Sequence, residues 1–313
     1  MCRRYEQFPV RVSVGFHGEN VTWRNNPLGQ IVIQRIVESI CTGFDPLSFF
    51  PETTPDDWAR HRTWMEPRAL DPASGNIVLT IQAFLVRTRH HTILVDTCVG
   101  NHKPRPLRPF WHMQKLDTFL PRLAAAGVSP EDVDYVMCTH LHWDHVGWNT
   151  QLRDGRWVPT FPNARYIFAQ REWESFLDLH RNEPQPHLVD SLLPVMEARQ
   201  AQLVGGDFAL DDEVWLEPSP GHTPGHVCIH LASQGTEAVI TGDCIHSPVQ
   251  CLEPGWIMRA DADPVIARAT RRGFLERYCD SNVMVCATHF PEPSIGHITE
   301  RKEAFWFDYS ATA

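Results

Sequence analysis

Residues 140–145 read His-Leu-His-Trp-Asp-His, so three imidazoles and one carboxylate occur within six positions. A structural role rarely requires such a density, whereas metal sites use both types of group as ligands. Along a loop, the alternate residues His140 and His142 can face one ion while Asp144 and His145 turn towards a second. Imidazole together with carboxylate suits zinc, and iron, manganese or cobalt are chemically admissible. The segment therefore predicts a loop that binds two metal ions.

Three further residues of ligand type follow downstream. His222 lies in a turn segment rich in Pro, which stiffens the backbone, and in Gly, which permits unusual conformations. Asp243 and His289 each come at the end of an apolar, β-branched run. Loops at strand ends are held by the sheet while their side chains converge, so these positions suit a site. Together with the histidine segment, the three residues complete two predicted ligand sets.

The elements expected to position these residues are strands and helices. Apolar, β-branched runs separated by polar or turn-forming residues indicate strands. Because strands are followed by helices in both halves of the chain, we expect an α/β layered architecture. The predicted strands cover 76–86, 91–96, 133–138, 164–169, 214–217, 227–231, 238–241 and 283–287.

Two helices are predicted from apolar residues at helical spacing. The first lies over 116–124, and Gly127 provides its C-terminal stop. The second begins at Asp263-Pro264, with proline in the first turn, and runs to Tyr278. Its predicted apolar stripe consists of Val265, Ile266, Ala269, Phe274 and Tyr278.

The composition is that of a globular enzyme. The chain has 313 residues, of which 42% are hydrophobic and 21% charged, so it can bury a sizeable core. No Ser/Gly-rich linker or repeat divides it, which favours one domain, and the proline-rich segment 103–109 reads as a rigid surface loop. A formal net charge of -10 without a long Lys/Arg run argues against a nucleic-acid partner. We expect a small substrate that is neutral or weakly charged.

The termini and cysteines predict a cytoplasmic protein. Residues 1–10 include two arginines but no apolar run behind them, so no signal peptide is predicted, and no stretch approaches membrane-spanning length. The nine cysteines include no CxxC pair and are predicted to be free thiols. Four of them lie within or beside strand-like runs and are predicted to fill the core. These are Cys138, Cys228, Cys244 and Cys286.

The ligand pattern resembles the metallo-β-lactamase superfamily, in which an aspartate after an early strand is followed by HxHxDH, a later His, an Asp and a final His. The matching positions are Asp96, His140, His142, Asp144, His145, His222, Asp243 and His289. The resemblance implies a four-layer αββα sandwich in a single domain. Within it, 1–75 would form an N-terminal extension and the first strands, 76–297 the metal-binding core and 298–313 a C-terminal tail.

The resemblance also implies how the ligands divide between two zinc ions. The first ion would be bound by His140, His142 and His222. The second would be bound by Asp144, His145 and His289, with Asp243 bridging both. Asp96 would orient an imidazole by accepting a hydrogen bond from its other nitrogen.

Within the superfamily, the resemblance is greatest to lactonases and methyl parathion hydrolase-like proteins. It rests on the stretches 161–173, 242–250 and 289–297. Homoserine-lactone lactonases commonly have a tyrosine three residues beyond the bridging aspartate, whereas this chain has His246. A neutral imidazole offers one N–H, so His246 is a candidate donor to a developing oxyanion or to the leaving group.

The predicted function is hydrolysis of a small neutral ester or lactone by a hydroxide that bridges two zinc ions, with Asp144 relaying a proton to the leaving group. The alternative is hydrolysis of a phosphotriester or an activated aryl halide at the same site. An iron-dependent thiol oxidoreductase ranks lower because both ligand sets are complete. A homodimer is expected by analogy with relatives. Four aromatic residues near the motifs are candidates for the walls of a substrate cleft: Phe110, Trp111, Trp143 and Trp148.

Overall fold

The computed structural model describes residues 25–310, and most of its strands lie in two sheets. The first sheet contains β1 (Asn26–Leu28), β2 (Ile31–Phe44), β3 (Ile77–Arg87), β4 (Thr92–Val95), β5 (Tyr135–Met137), β8 (Arg165–Ala169) and β9 (Ala201–Val204). A separate hairpin is formed by β6 (Thr150–Arg153) and β7 (Arg156–Pro159). The second sheet contains β10 (Val214–Pro218), β11 (Val227–Ser233), β12 (Thr236–Ile240), β13 (Met284–Cys286), β14 (Ile295–Arg301) and β15 (Ala304–Asp308).

Helices connect these strands. The α-helices are α1 (Pro46–Phe49), α2 (Pro55–Met65), α3 (Phe119–Ala125), α4 (Gln170–Asn182), α5 (Leu193–Glu197), α6 (Val249–Leu252) and α7 (Pro264–Tyr278). Short 3₁₀ turns cover Pro130–Asp132, Gly147–Asn149 and Gly242–Cys244, and a π-helical turn covers Leu188–Leu192. Parallel strand pairs need crossover connections. Accordingly α3 lies between β4 and β5, α4 between β8 and β9, and α7 between β12 and β13.

The two sheets pack face to face, and helices cover their outer faces. Alternate residues of a strand point to opposite faces. In β3, Phe84 and Val86 pack against the second sheet, whereas Ala83 and Leu85 belong to the core beneath α3 and α4. The outer face of the second sheet packs on α7 through a third core cluster. The four-layer αββα order implied by the resemblance is therefore confirmed.

The long helix α7 starts where the sequence predicts, but its buried stripe differs. The Asp263 side chain accepts hydrogen bonds from the backbone N–H groups of Val265 and Ile266 at 3.0 Å, which caps the helix. Val265, Ile266 and Ala269, predicted to be in the apolar stripe, are exposed, so that part of the prediction is wrong. The buried positions follow a helical period beginning four residues after the cap: Ala267, Arg271, Phe274, Leu275 and Tyr278.

The eight predicted strands and the first predicted helix are confirmed, with ends that differ by a few residues. The sequence did not predict β2, α2 or α4. The segment expected as a C-terminal tail contains the end of β14 and all of β15. The proline-rich segment 103–109 is a loop, but it is not simply a surface loop, because Lys103 and Arg105 are buried.

The thiols behave as predicted within residues 25–310. All eight cysteines of that part of the chain are free, and seven are buried, including the four predicted core residues. The residues on which the prediction about a signal peptide rests, 1–10, lie outside those described. Among the described helices, none combines the length and apolar composition needed to cross a membrane.

Candidate metal centre

The seven predicted ligands lie on four connections that follow the carboxyl ends of β5, β10, β12 and β13. β5 leads into the loop that carries the histidine segment, and the connection from β10 to β11 carries His222. Asp243 follows β12, and His289 follows β13, the parallel neighbour of β12. The sequence folds this way because each loop follows a buried strand, so the sheets fix where the loops begin. The structure brings all seven ligands together.

We call His140, His142, His222 and Asp243 the first cluster. The Nδ1 of His142 lies 2.9 Å from the Nε2 of His140 and 2.9 Å from the Nε2 of His222. The Oδ2 of Asp243 lies 3.2 Å from the Nε2 of His222 and 3.7 Å from that of His140. Four potential ligand atoms thus lie within 4.8 Å of one another.

The second cluster consists of Asp144, His145 and His289 together with the other oxygen of Asp243. The Nε2 atoms of His145 and His289 are 3.3 Å apart, and they lie 3.2 and 3.1 Å from the Oδ1 of Asp243. Asp144 is more distant, with its oxygens 4.0 Å from His145 and 3.9 Å from His289. Asp243 therefore stands between the two clusters, with one oxygen towards each.

The donor set fits cations. Ring nitrogens converge on one another in both clusters, although a neutral imidazole has only one N–H to share. The Oδ1 of Asp243 is buried and accepts no well-aligned hydrogen bond among the described residues, although two imidazole nitrogens lie 3.1 and 3.2 Å from it. A buried carboxylate is costly unless positive charge and hydrogen bonds compensate it. Imidazole nitrogens with carboxylate oxygens are the ligands of zinc and of related divalent metals.

The electrostatics of the first cluster agree with this interpretation. Burial lowers the pKa of His140 and His142 well below the ordinary value, which keeps both rings neutral, the form that binds metals. Burial also acts to lower the pKa of His222, but the carboxylates of Asp243 and Asp261 outweigh it and raise that pKa to about 9. The two carboxylates thus stabilise positive charge at His222, whereas His140 and His142 remain neutral ligands.

In the second cluster the shared carboxylate dominates. Burial opposes protonation of His145 and His289, yet the charge of Asp243 raises the pKa of both rings. Burial would raise the pKa of Asp243 itself, but the surrounding imidazoles hold it well below its usual range. Asp243 is therefore an anion that attracts positive charge from both sides.

Hydrogen bonds on the outer nitrogens fix the rings of the second cluster. Asp96 accepts from the Nδ1 of His145 at 2.9 Å, and its other oxygen accepts from the backbone N–H of Thr139 at 2.8 Å. The Nδ1 of His289 donates to the backbone oxygen of Thr80 at 3.0 Å. Each ring thereby presents its Nε2 to the cluster. The imidazole that Asp96 orients is therefore that of His145.

Sequence reasoning missed Asp261, which holds His222. The carboxylate of Asp261 is buried and accepts from the Nδ1 of His222 at 2.9 Å. The buried guanidinium of Arg271 lies 3.2 Å from Asp261 and also donates to the backbone oxygen of Cys244 at 3.0 Å. Asp261 comes 39 residues after His222 in the chain, so no local spacing links the two.

The candidate catalytic residue His246 is buried beside the shared aspartate. Its Nε2 lies 3.1 Å from the Oδ2 of Asp243, and its Nδ1 has no hydrogen-bond partner among the described residues. The ring stacks on His289 with centroids 5.8 Å apart and meets the edge of Phe49 at 5.9 Å. Its backbone N–H donates to Gln250 at 2.7 Å. His246 is thus held against both clusters.

Aromatic side chains form a continuous row beside the centre. Trp143 contacts Trp111 with centroids 4.7 Å apart, Trp111 contacts Phe44 at 5.8 Å, and Phe44 contacts Phe49 at 5.4 Å. We call these four residues the aromatic wall. Phe110 packs against Trp111 at 5.4 Å. The sequence did not single out Phe44 or Phe49, because they lie about a hundred residues before the histidine segment.

The fourth predicted wall residue lies elsewhere. Trp148 is buried, stacks on Phe119 with centroids 5.5 Å apart and donates its Nε1 hydrogen to Glu38 at 2.7 Å. Trp148 thus belongs to the hydrophobic core together with Phe119. It is a packing residue, and we do not include it in the aromatic wall.

The chain is similar to known proteins in family, sequence and structure. The family model described as metallo-beta-lactamase superfamily matches residues 77–273. An N-acyl homoserine lactonase of Bacillus thuringiensis is 27% identical over 191 residues, which cover 55% of this chain and 69% of the relative. The N-acyl homoserine lactonase AttM of Azorhizobium caulinodans is 28% identical over 127 residues, covering 37% of this chain and 43% of the relative.

Solved structures show the same architecture. AidC, a dizinc quorum-quenching lactonase in complex with a product, N-hexnoyl-L-homoserine, has a TM-score of 0.73 at 22% identity, covering 91% of this chain and 96% of its own. The hydrolase AbOPH of the beta lactamase superfamily has a TM-score of 0.76 at 24% identity, covering 92% and 97%. At these identities the likeness shows a common fold.

Proposed function

The chain belongs to the metallo-beta-lactamase superfamily and is a metal-dependent hydrolase, and on this premise we propose that it hydrolyses small neutral esters or lactones with two bound zinc ions. His140, His142 and His222 would hold one ion, Asp144, His145 and His289 the other, and Asp243 would bind both. The observation that carries the proposal is the position of Asp243, whose Oδ2 lies 3.2 Å from His222 and whose Oδ1 lies 3.1 Å from His289.

The bound ions would supply hydroxide at neutral pH, because paired divalent metals lower the pKa of water from about 15.7 towards about 7. The residues of the chain provide the proton transfers. Water adds to the carbonyl carbon, the bond from that carbon to the leaving oxygen breaks, and the leaving oxygen needs a proton. Asp144 is suited to relay this proton, since its carboxylate lies at the second cluster and is 16% exposed, unlike the buried Asp243.

We assign His246 the role of a hydrogen-bond donor to the substrate. Its Nε2 already lies 3.1 Å from the Oδ2 of Asp243, so an oxygen that develops charge beside this carboxylate would be within reach of the same N–H. Donors that are already oriented stabilise such charge more than freely rotating ones. The contacts with His289 and Phe49 restrict the ring to this orientation.

The aromatic wall supports a substrate with an apolar acyl or aryl group. It runs from Trp143 in the histidine segment to Phe49, which contacts His246, so it flanks the centre. Aromatic rings provide a large apolar surface without charge. The named relatives are lactonases, which favours a lactone. A phosphotriester remains the second candidate, because His246 replaces the tyrosine expected of homoserine-lactone lactonases.

The test combines metal analysis with a substrate screen. We expect about two zinc equivalents per chain, and turnover of lactones or aryl esters that falls on chelation and returns with zinc. His140→Ala should lose the first ion, whereas the control His90→Ala, at an exposed histidine of the β3–β4 hairpin, should keep both. A purified chain that takes up no zinc, or whose hydrolysis is insensitive to chelators, would overturn the proposal. Turnover of phosphotriesters alone would favour the second candidate.

Two substitutions of His246 test its role in the same substrate screen. His246→Ala should lower kcat by roughly 100-fold while the zinc content is unchanged, since one oxyanion donor is lost. His246→Tyr restores a donor and should raise lactone turnover relative to phosphotriester turnover. If neither substitution changes either activity, His246 has no catalytic role.

Location and assembly remain part of the proposal. The net charge of -10 supports a small-molecule substrate over nucleic acid. The single-domain division, the cytoplasmic location and the homodimer stay predictions, and the subunit number can be measured by light scattering after size exclusion.

A further inference from the structure

Glu172 is a buried carboxylate that the proposed mechanism does not use. It lies in the first turn of α4 and is 1% exposed. Its Oε1 accepts a hydrogen bond from the backbone N–H of Leu141 at 3.1 Å, and its Oε2 accepts one from the backbone N–H of Gly225 at 2.8 Å. One side chain thus binds two loops that are far apart in the sequence.

These two loops carry the imidazoles of the first cluster. Leu141 lies between His140 and His142, and Gly225 lies three residues after His222. The Nδ1 of His142 is 2.9 Å from the Nε2 of His222, so a small relative movement of the loops changes the distance between their ligand atoms. Glu172 therefore connects the loop of His140 and His142 to the loop of His222.

A second observation comes from Gly225. A side chain at this position would place its Cβ 2.2 Å from the backbone nitrogen of Glu172, so only glycine allows the loop to approach α4 this closely. Glycine at position 225 thus lets the loop contact the backbone of Glu172, the same residue whose carboxylate accepts the hydrogen bond from the Gly225 N–H.

An ion pair does not explain the burial of Glu172. Among the ion pairs formed by residues 25–310, none includes Glu172. A buried carboxylate is expensive to desolvate unless hydrogen bonds compensate it. The two backbone N–H groups provide this compensation, which ties the position of each loop to the same carboxylate.

The second cluster is held by different residues. His145 is bonded to Asp96, and His289 to the backbone of Thr80, so neither ring depends on α4. We propose that Glu172 is a positioning residue that sets the separation of the His140–His142 loop from the His222 loop, and thereby the affinity of the first metal site. The inference rests on the proposed two-metal assignment.

The test measures zinc affinity at each site by competition with a chromophoric chelator. Glu172→Ala should weaken the first site by about 10- to 100-fold, the range found for residues that support metal ligands, and leave the second site unchanged. Glu172→Gln keeps the size of the side chain and one acceptor oxygen but presents an amide N–H to the other loop, so its affinity should fall between those of Glu172→Ala and the wild type. Cobalt substitution provides a spectroscopic signature of each site without an activity assay.

Two further variants separate position from charge. Gly225→Ala leaves the charge of Glu172 intact but displaces the loop from α4, and it should also weaken the first site selectively. Glu174→Gln removes a carboxylate from the exposed side of the same helix, where it accepts a hydrogen bond from the Gln170 side chain, and this variant should bind two zinc ions as the wild type does.

Each outcome distinguishes this inference from the proposed function. If the wild type binds fewer than two zinc ions, the two-metal assignment fails. If the wild type binds two and Glu172→Gln binds the first ion with wild-type affinity, the positioning role is overturned while the proposed function stands. Should Glu172→Ala fail to fold, Glu172→Gln and Gly225→Ala decide, and equal weakening of both sites in these variants would also overturn it.

Discussion

Asp243 is the residue at which the two ligand clusters meet, and its backbone is fixed as firmly as its side chain. The N–H of Asp243 donates to the Nε2 of His226 at 2.9 Å, and the Nδ1 of His226 bonds to Ser219 at 2.8 Å. The preceding Gly242 has a positive φ of 50°, and a Cβ there would lie 2.6 Å from His226. Glycine is therefore required for Asp243 to turn one oxygen towards each cluster.

Two carboxylates that orient ligands should act on different metal sites. Asp96→Asn removes the charge that holds His145, so we expect about 10- to 100-fold lower zinc affinity at the second site. Asp261→Asn removes the charge that holds His222 and should weaken the first site by a similar factor. Chelator competition on cobalt- and zinc-loaded protein measures both constants, and melting temperatures report on folding.

The contrast between these variants is the control. Because Arg271 loses its charged partner in Asp261→Asn but not in Asp96→Asn, Asp261→Asn should also lower the stability of the protein. Weakening of the same site by both substitutions would contradict the assignment of Asp96 and Asp261 to separate clusters.

At the scale of single residues, the sequence predicted what is local and missed what folding brings together. The segment 140–145 contains its ligands within six positions, so spacing alone reveals them. Asp261, in the loop before α7, and Glu172, in α4, reach the centre only through tertiary packing against the ligand loops. A buried carboxylate has the same sequence signature as an exposed one, so neither could be distinguished beforehand.

At the scale of elements, a substitution in α7 tests which face of this helix is exposed to solvent. Gly273 lies in the middle of this helix on an exposed face, and a Cβ there would meet no atom within 4 Å. Gly273→Ala should raise the free energy of unfolding by about 0.5–1 kcal/mol, because alanine loses less backbone entropy than glycine on entering a helix. Urea denaturation measures this change.

Gly221→Ala is the control for the same helix and should have the opposite effect on stability. Gly221 has a φ of 132°, and a Cβ would lie 2.4 Å from the Cα of Ala267 in α7, so this substitution should destabilise the protein. A loss of stability in Gly273→Ala would mean that the face of α7 assigned to solvent is packed.

Elements dominated by apolar residues were predictable, whereas a strand that carries charged residues was not. β3 and β12 were predicted because most of their residues are apolar or β-branched, although β3 also contains the buried polar residues Thr80 and Gln82. β2 contains Glu38, which is buried because it accepts hydrogen bonds from Val99 at 3.0 Å and from Trp148 at 2.7 Å. Such partners come from distant loops, so periodicity alone does not mark this strand.

At the scale of the whole molecule, the centre lies where the two sheets meet. The backbone N–H of Thr80 in β3 donates to the oxygen of His289 at 3.1 Å, and that of Val227 in β11 donates to the oxygen of Thr139 at 2.9 Å. Each sheet supplies ligands and also holds a loop of the other. The layered architecture follows from strand and helix patterns, whereas this pairing of the sheets was implied only by resemblance to a family.

A buried ionic cluster ties three separate segments together beside the first core. Asp190, in the π-helical turn, forms a bidentate pair with Arg105 at 2.6 and 3.0 Å. Lys103 donates to the backbone oxygen of Asp190 at 2.9 Å and to Thr150 at 2.6 Å. Its ammonium also lies 3.7 Å from the ring centroid of Trp157 in β7. Lys103 is therefore fully enclosed.

This enclosure predicts a dependence of stability on pH. Burial is the largest influence on Lys103 and lowers its pKa from 10.5 to about 7 in spite of Asp190. Between pH 7 and 10.5 the unfolded chain holds this proton and the folded chain does not, so unfolding takes up a proton and its free energy rises with pH. The slope from one such group is at most about 1.4 kcal/mol per pH unit. Below pH 7 both states are protonated, and this contribution is flat.

Lys103→Met removes the titrating group and keeps a side chain of similar length. Other titrating groups, including the buried thiols, act in both proteins, so we compare the difference in unfolding free energy between wild type and variant. Urea unfolding at pH 7, 8 and 9 and at equal zinc content should show the wild type gaining stability relative to Lys103→Met as the pH rises. A constant difference would mean that Lys103 keeps its proton in the folded state, with Asp190 outweighing the cost of burial; a difference that falls with pH would mean that the folded state raises the pKa of Lys103.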